Sequence, residues 1–216
     1  MPRERLEHKK SRAEKIIALL RIRYPGAKCA LNFGSVHELM VATILSAQCT
    51  DVRVNIVTKD LFKKYRSIEE FADSDITELE QEVRSTGFFR NKAKSIKKSA
   101  QQLLEFYSGK IPRTIKELTK LAGVGRKTAS VILGTGYGMA EGMVVDTHVT
   151  RLSNLLGFTN KKEAGKIEQD LMKIIPKKDW IDYSHLLIHH GRTICIARRP
   201  KCPECPVNRL CPSAKV

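Results

Sequence analysis

The sequence predicts an all-α protein with short loops, and three features point to it. Apolar residues recur at helical spacing along most of the 216 residues. Helix-start signatures, a Ser, Thr or Asp followed three positions later by Glu, punctuate the chain. No run alternates with period two, and there is no hairpin turn signal.

The elements follow in order. Ala13, Ile16, Ile17 and Leu20 define a first helix, and Tyr24-Pro25-Gly26 stops it. Ser35 with Glu38 is a capping box opening a helix toward Ser46. That helix is apolar on nearly every side, so it belongs in the middle of a domain. Asp51 to Tyr65 reads as another helix. Ser67 with Glu70 and Asp75 with Glu78 mark two further starts, the second ending near Gly87. Arg90 to Tyr107 is a long helix, basic on one face. Thr114 with Glu117 forms another capping box, just after Pro112. Beyond Asp146 come a helix to Leu156, a helix to about Ile175 stopped by Pro176, and a helix from Trp180 to about His190. The glycine-rich stretch Gly134 to Gly138, with Glu141-Gly142, is the best candidate hinge.

Composition narrows the class. A hydrophobic content of 42% suits a packed core and excludes a disordered chain. Lys and Arg number 39 against 23 Asp and Glu, a net charge of +16. So basic a chain is expected to meet a polyanion, because neutralising phosphates releases counterions. Binding should therefore depend steeply on salt. Three strips concentrate the charge: residues 1–28, with nine cations, Arg90 to Lys98, with five, and residues 192–216, with six. Each is a candidate phosphate-facing surface or a plain solvated face. No apolar run approaches the ~20 residues that span a bilayer, and no signal peptide is visible. The expectation is an intracellular protein that does not engage membranes, in the cytoplasm or nucleoid if prokaryotic, with reduced thiols.

Cys195, Cys202, Cys205 and Cys211 fall within seventeen residues, spaced C-x6-C-x2-C-x5-C. Pro200, Pro203, Pro206 and Pro212 stiffen the run. In a reducing compartment this pattern favours metal over disulfides. Zinc sites usually show two short Cys pairs, and this run has one, so a [4Fe–4S] cluster fits better than zinc. Cys29 and Cys49 stand apart as ordinary buried thiols. Arg198, Arg199, Lys201 and Arg209 lie beside the four cysteines; they offset the cluster's negative charge, face phosphates, or do both.

The stretch Leu118 to Ala129 carries Gly123-Val124-Gly125-Arg126-Lys127 between two helices. The two glycines suit a tight turn with positive φ and leave amide groups uncovered at a helix start, where an anion can bind. Val124 should pack inward, and Ala129 should let the helices approach. A simple helix–helix turn is the plain alternative, but the full pattern favours a DNA-binding helix-hairpin-helix. Lys127, forced to a helix start and partly buried there, would have its ammonium destabilised and become a nucleophile; the plain alternative is that Arg126 and Lys127 both merely hold phosphate. Asp146, in Val144 to Val149, reads as an N-cap or as a carboxylate acting on a substrate beside Lys127. His148 is structural or a phosphate contact.

Leu45-Ser46-Ala47-Gln48-Cys49-Thr50-Asp51, the Gly123–Ala129 hairpin, Val145-Asp146-Thr147-His148, and His190-Gly191-Arg192 leading into the cysteines resemble the endonuclease III family, in the family's order and with its cysteine spacing. The resemblance runs from about Ala13 to Cys211. It implies the helix-hairpin-helix DNA glycosylase fold: a six-helix barrel over 29–139, and a second helical domain from 1–28 and 140–216 with the [4Fe–4S] loop at 195–211. DNA would lie in a cleft between them, with Lys127 and Asp146 facing each other. The implied partner is double-stranded DNA with a damaged base or abasic site, bound by a monomer. The implied activity is a bifunctional glycosylase/AP lyase that flips an oxidised pyrimidine out of the duplex, attacks through Lys127 with help from Asp146, and cleaves 3′ to the abasic site. Gln48 matches the position that fills the gap left by the flipped base. Phe88 lies where the family inserts an apolar wedge, often aliphatic. Gly123, Val124, Gly125, Arg126, Arg198, Arg199 and Lys201 would meet the backbone. The adenine-removing branch carries a catalytic glutamate before its glutamine motif, and Val41 to Gln48 holds no carboxylate. That branch and the thymine-mismatch branch generally lack the hairpin lysine. A thymine or uracil mismatch glycosylase, or a non-enzymatic DNA-binding iron–sulfur protein, remain the competing readings.

Overall fold

The capping boxes do what their chemistry dictates. In the computed structural model, which describes residues 4–215, Ser35, Ser67, Asp75 and Thr114 each accept a hydrogen bond from the backbone N–H three residues on, at Glu38, Glu70, Glu78 and Glu117. Each satisfies an amide that the helix itself leaves unpaired. The helices that result are α1 (Leu6–Arg23), α2 (Val36–Leu45), α3 (Asp51–Lys64), α4 (Ile68–Asp73), α5 (Ile76–Glu82), α6 (Phe89–Tyr107), α7 (Ile115–Leu118), α8 (Arg126–Val131), α9 (Thr147–Leu155), α10 (Ala164–Ile174) and α11 (Trp180–Thr193). Short 3-10 turns and one π turn complete them, and no strand occurs among the described residues. Met1–Arg3, with one cation of the N-terminal strip, and Val216 lie outside the described residues.

The chain divides into two compact units. One holds Cys29–Glu141; the other holds the described parts of Met1–Lys28 and Gly142–Val216.

In the first unit α2 is the central rod. Leu39, Met40, Val41, Ala42 and Leu45 are all fully buried, so the helix is enclosed on nearly every side. The long α6 presents Ala93, Ile96, Ala100 and Leu103 inward, a spacing that keeps one face toward the core. Two alanines on that stripe let α4 lie close, with Phe71 fully buried in the shared core. Burying a side chain of that size contributes about 2–3 kcal/mol. The helix predicted to run from Asp75 to Gly87 is shorter. It stops at Glu82, and a 3-10 turn, Arg84–Thr86, follows. The Gly134–Gly138 stretch is not a linker in its first half. A π turn, Ile132–Gly136, prolongs α8, and a Cβ on Gly136 would sit 3.0 Å from Val36 Cγ1. Glycine there lets α8 approach α2; the division between the units falls later, after Glu141.

In the second unit α1 buries Ala13, Ile16, Ile17 and Leu20. They pack with α10 and α11; α11 in turn packs on α9, where Tyr183 is fully buried and its hydroxyl lies 3.2 Å from Ser153 Oγ. Burial pushes that phenol above its ordinary range. Trp180 Nε1 donates to Ile175 O at 2.9 Å, which fastens α11 behind the turn at Pro176.

Candidate active site

The hairpin in the first unit is built from one obligatory glycine and one optional one. Gly123 has φ +75°, in the left-handed region, and a Cβ there would meet Ser95 Cβ at 2.7 Å. Gly125 differs from the sequence expectation. Its backbone is extended (φ −84°, ψ 176°), and a Cβ would meet nothing within 4 Å. The turn therefore needs positive φ once only. What the missing side chain at Gly125 does is leave the start of α8 uncovered. Val124 is buried and Ala129 fully so, which anchors the turn between α7 and α8. Gln102 Oε1 accepts the Ala122 N–H at 2.8 Å and fixes the approach. Gly125, Arg126 and Lys127 are exposed. Lys127 is thus not partly buried: only Val124, Ala129 and Ser130 turn inward here, and the first turn of α8 faces out.

Two more of the singled-out residues share this unit. Gln48 (φ +53°) and Phe88 (φ +49°) are left-handed although neither is glycine. Such a conformation costs roughly 1–2 kcal/mol at an ordinary residue and persists only where the surroundings impose it. Both side chains are exposed, Phe88 at 62%. Phe88 follows Gly87, itself at φ +72°, and leads into α6.

The Arg90 to Lys98 strip is not a single outward face. Lys92 is 5% exposed, and its Nζ donates to Leu45 O and Thr86 O, both at 2.8 Å. Burial lowers its pKa. Lys97 donates to Ser74 O. A sequence count of charges cannot see that α6 turns these two stems toward backbone carbonyls. The N-terminal strip is likewise partly spent on structure: Arg12 pairs with Glu4, and Arg21 with Asp179 and Asp182, each at 2.7 Å.

In the second unit Asp146 is the N-cap of α9, with Oδ1 accepting the Val149 N–H at 2.8 Å. Among the described residues nothing else bonds its carboxylate. His148, the second residue of α9, lies against α11, where a Cβ on Gly191 would come within 2.6 Å of His148 Nδ1. Burial lowers the His148 pKa.

The same unit carries the cysteine run. Cys195, Cys202, Cys205 and Cys211 are half-buried and line one cavity of about 300 Å³, walled also by Leu20, Leu187, Ile194 and Val207. No three Cys, His, Asp or Glu groups among the described residues are arranged to hold a metal ion. The donors thus line a chamber rather than close on a point, and four thiols around one apolar-walled chamber suit a thiolate-bound group. Burial, then the charge of neighbouring cysteines, pushes the Cys205 and Cys211 thiols up, and a bound cationic centre would favour their thiolate forms. Cys29 and Cys49 belong to the other unit and are half-buried rather than enclosed. Arg198, Arg199 and Lys201 are exposed, with Arg198 and Lys201 also lining the chamber.

Two residues at this chamber escaped the sequence reading. Arg151 Nη2 donates to Cys195 O at 2.6 Å, and Nη1 lies 3.6 Å from Cys195 Sγ. His190 bridges Tyr24 Oη (3.0 Å from Nδ1) and Cys205 Sγ (3.5 Å from Nε2). In the sequence His190 stands out only within the His190-Gly191-Arg192 motif, and Arg151 carries no local signal at all.

The comparisons with known proteins agree with this architecture. Residues 41–177 match the model of the HhH-GPD superfamily base excision DNA repair proteins. Endonuclease III of Synechocystis sp. is 48% identical over 211 residues, which cover 98% of this chain and 96% of that one. Two solved structures, a non-covalent endonuclease III–DNA complex and a trapped endonuclease III–DNA covalent intermediate, each match with a TM-score of 0.89 and 43% identity over 95% of this chain and 96% of theirs. The class is therefore the helix-hairpin-helix base excision repair glycosylases. Within it, the chain belongs to the endonuclease III family, and it is a DNA glycosylase with AP-lyase activity.

Proposed function

We propose that the enzyme excises oxidised pyrimidines from duplex DNA through a Schiff base on Lys127, with Asp146 assisting. The observation that carries this reading is the exposed primary amine of Lys127 at the head of α8, directly behind the Gly123–Gly125 turn. After losing a proton to a general base, the Lys127 amine attacks C1′ of a flipped nucleotide. The C1′–N bond breaks, and the base leaves with the electron pair and takes up a proton. The sugar ring opens as the Nζ–C1′ imine forms. Loss of a C2′ proton then expels the 3′ phosphate by β-elimination, and water releases the lysine. Asp146 assists by accepting protons and stabilising positive charge on the flipped nucleotide. Its capping bond supports this role by holding one oxygen in place.

The hairpin amides of Gly123, Val124 and Gly125, with Arg126, hold a DNA phosphate. Gln48 fills the space of the flipped base and Phe88 wedges from the opposite side; their exposure and left-handed backbones support this. The four cysteines hold a [4Fe–4S] cluster that cross-links its loop and takes no part in bond breaking. Arg198, Arg199 and Lys201 face phosphates from that loop. The enzyme acts as a monomer inside the cell. No described helix is long and apolar enough to cross a membrane.

The test is product analysis on duplexes carrying one thymine glycol, one uracil or one mismatched thymine. The expected result is base release and a nick 3′ to the site from thymine glycol. Faster release of uracil or mismatched thymine would overturn the substrate assignment.

A further inference from the structure

Lys92 sits under the two turns that display Gln48 and Phe88. Its Nζ reaches Leu45 O, the last residue of α2 and three before Gln48, and Thr86 O, two residues before Phe88. Both bonds are 2.8 Å long and buried. At the first turn, the Ala47 and Cys49 N–H groups go to Ile44 O and Ser46 O, which leaves Leu45 O to the lysine. A cation at the C-terminus of α2 also complements the helix dipole. At the second turn, Lys92 N–H donates to Phe88 O at 3.1 Å, so one residue grips that turn through backbone and side chain together. The only non-glycine residues with positive φ among the described residues are Gln48, Phe88 and Ser108, and the ammonium is tied just upstream of the first two.

We propose that Lys92 is a positioning residue that ties the Gln48 turn to the Phe88 turn, so that both side chains enter the duplex as a pair of fixed spacing. It is not one of the phosphate-neutralising cations, because its ammonium is spent on two carbonyls inside the fold. The proposal rests on the reading of Gln48 and Phe88 as inserting residues.

The experiment compares the full-length protein with Lys92→Met and Lys92→Arg. Amide hydrogen exchange reads the turns directly, and 2-aminopurine placed beside an abasic-site analogue reads unstacking at saturating protein. In Lys92→Met, exchange should rise at both 47–49 and 87–89 while the α2 and α6 interiors keep their protection. The rise in fluorescence that the intact protein causes should be largely lost. In a Gln48→Ala/Phe88→Ala background the added Lys92→Met should lower the signal no further. The slope of log affinity against log salt should be unchanged, whereas loss of a phosphate contact would reduce it by about 0.9. Should Lys92→Met fail to fold, Lys92→Arg carries the test, since its longer fork must disturb both turns together. Unaltered exchange, loosening of one turn alone, or a reduced salt slope would overturn the proposal. If Lys92→Met loosens both turns but Gln48→Ala/Phe88→Ala keeps full fluorescence, the insertion reading falls and the tie between the turns stands.

Discussion

Asp146 Oδ1 accepts the Val149 N–H at 2.8 Å, so the proposed catalytic carboxylate is also the N-cap of its own helix. The two roles separate by substitution. Asparagine caps about as well as aspartate but cannot accept a proton as a carboxylate does. Asp146→Asn should keep stability within about 0.5 kcal/mol and lower base release roughly a hundredfold or more. Asp146→Ala should show the same loss of activity and cost about 1 kcal/mol in stability besides. Urea unfolding alongside single-turnover assays reads both.

The two hairpin glycines should respond oppositely to alanine. At Gly123 a Cβ meets Ser95 at 2.7 Å on a backbone with φ +75°. Gly123→Ala should cost about 1–3 kcal/mol, from the strain and the overpacking it forces. At Gly125 the backbone is extended and the space open. Gly125→Ala should leave stability unchanged or raise it by about 0.4–1 kcal/mol. Yet it should weaken DNA binding, because the methyl covers the start of α8. Thermal melts and equilibrium DNA binding at one fixed salt concentration separate the two effects.

His37 gives the stability a pH dependence. It is buried against Phe71, its Nε2 has no hydrogen-bond partner, and burial pushes its pKa down to about 4. Its folded pKa lies below the unfolded value of about 6.5, so the unfolded chain binds the proton first as pH falls. The contribution is whole above pH 6.5 and is lost as pH drops toward 4. Between pH 7 and 5 the loss from this residue should be about 2 kcal/mol. Other buried histidines titrate in the same sense, so the comparison is with His37→Leu, whose stability should fall less over that interval. Denaturant unfolding at the two pH values measures the difference, and equal slopes would remove His37 as its source.

The four cysteines around one chamber predict iron that depends on each of them. Purified protein should carry about four irons per chain with no zinc. Cys202→Ser should lose the iron and destabilise the unit that contains it, while Cys29→Ser and Cys49→Ser keep full occupancy. Metal analysis with thermal melts checks this, and stoichiometric zinc would contradict it.

What the sequence displayed and what it hid divide by range. Capping at Ser35, Ser67, Asp75 and Thr114 needs residues three apart, and those signals sit in plain view. The enclosure of α2 was legible because it is apolar all round. The cysteine spacing and the Gly123–Lys127 pattern are local as well. Lys92 was counted with surface cations because its two partners lie 47 and 6 residues away. The contact of Arg151 with Cys195 spans 44 residues and was hidden for the same reason. The left-handed backbone at Gln48 and Phe88 has no sequence signal, since neither is glycine. Exposure of Lys127 was misjudged because burial depends on which way α8 turns after Val124, and composition does not encode that.

The central claim is that Lys127 is the nucleophile, and borohydride trapping tests it most directly. The intact enzyme, mixed with a duplex containing one abasic site and reduced with borohydride, should form a covalent protein–DNA adduct, and peptide mapping should place the cross-link on Lys127. Lys127→Ala should bind the same duplex and form none. An adduct that persists undiminished in Lys127→Ala, or no adduct from the intact enzyme, would contradict the account.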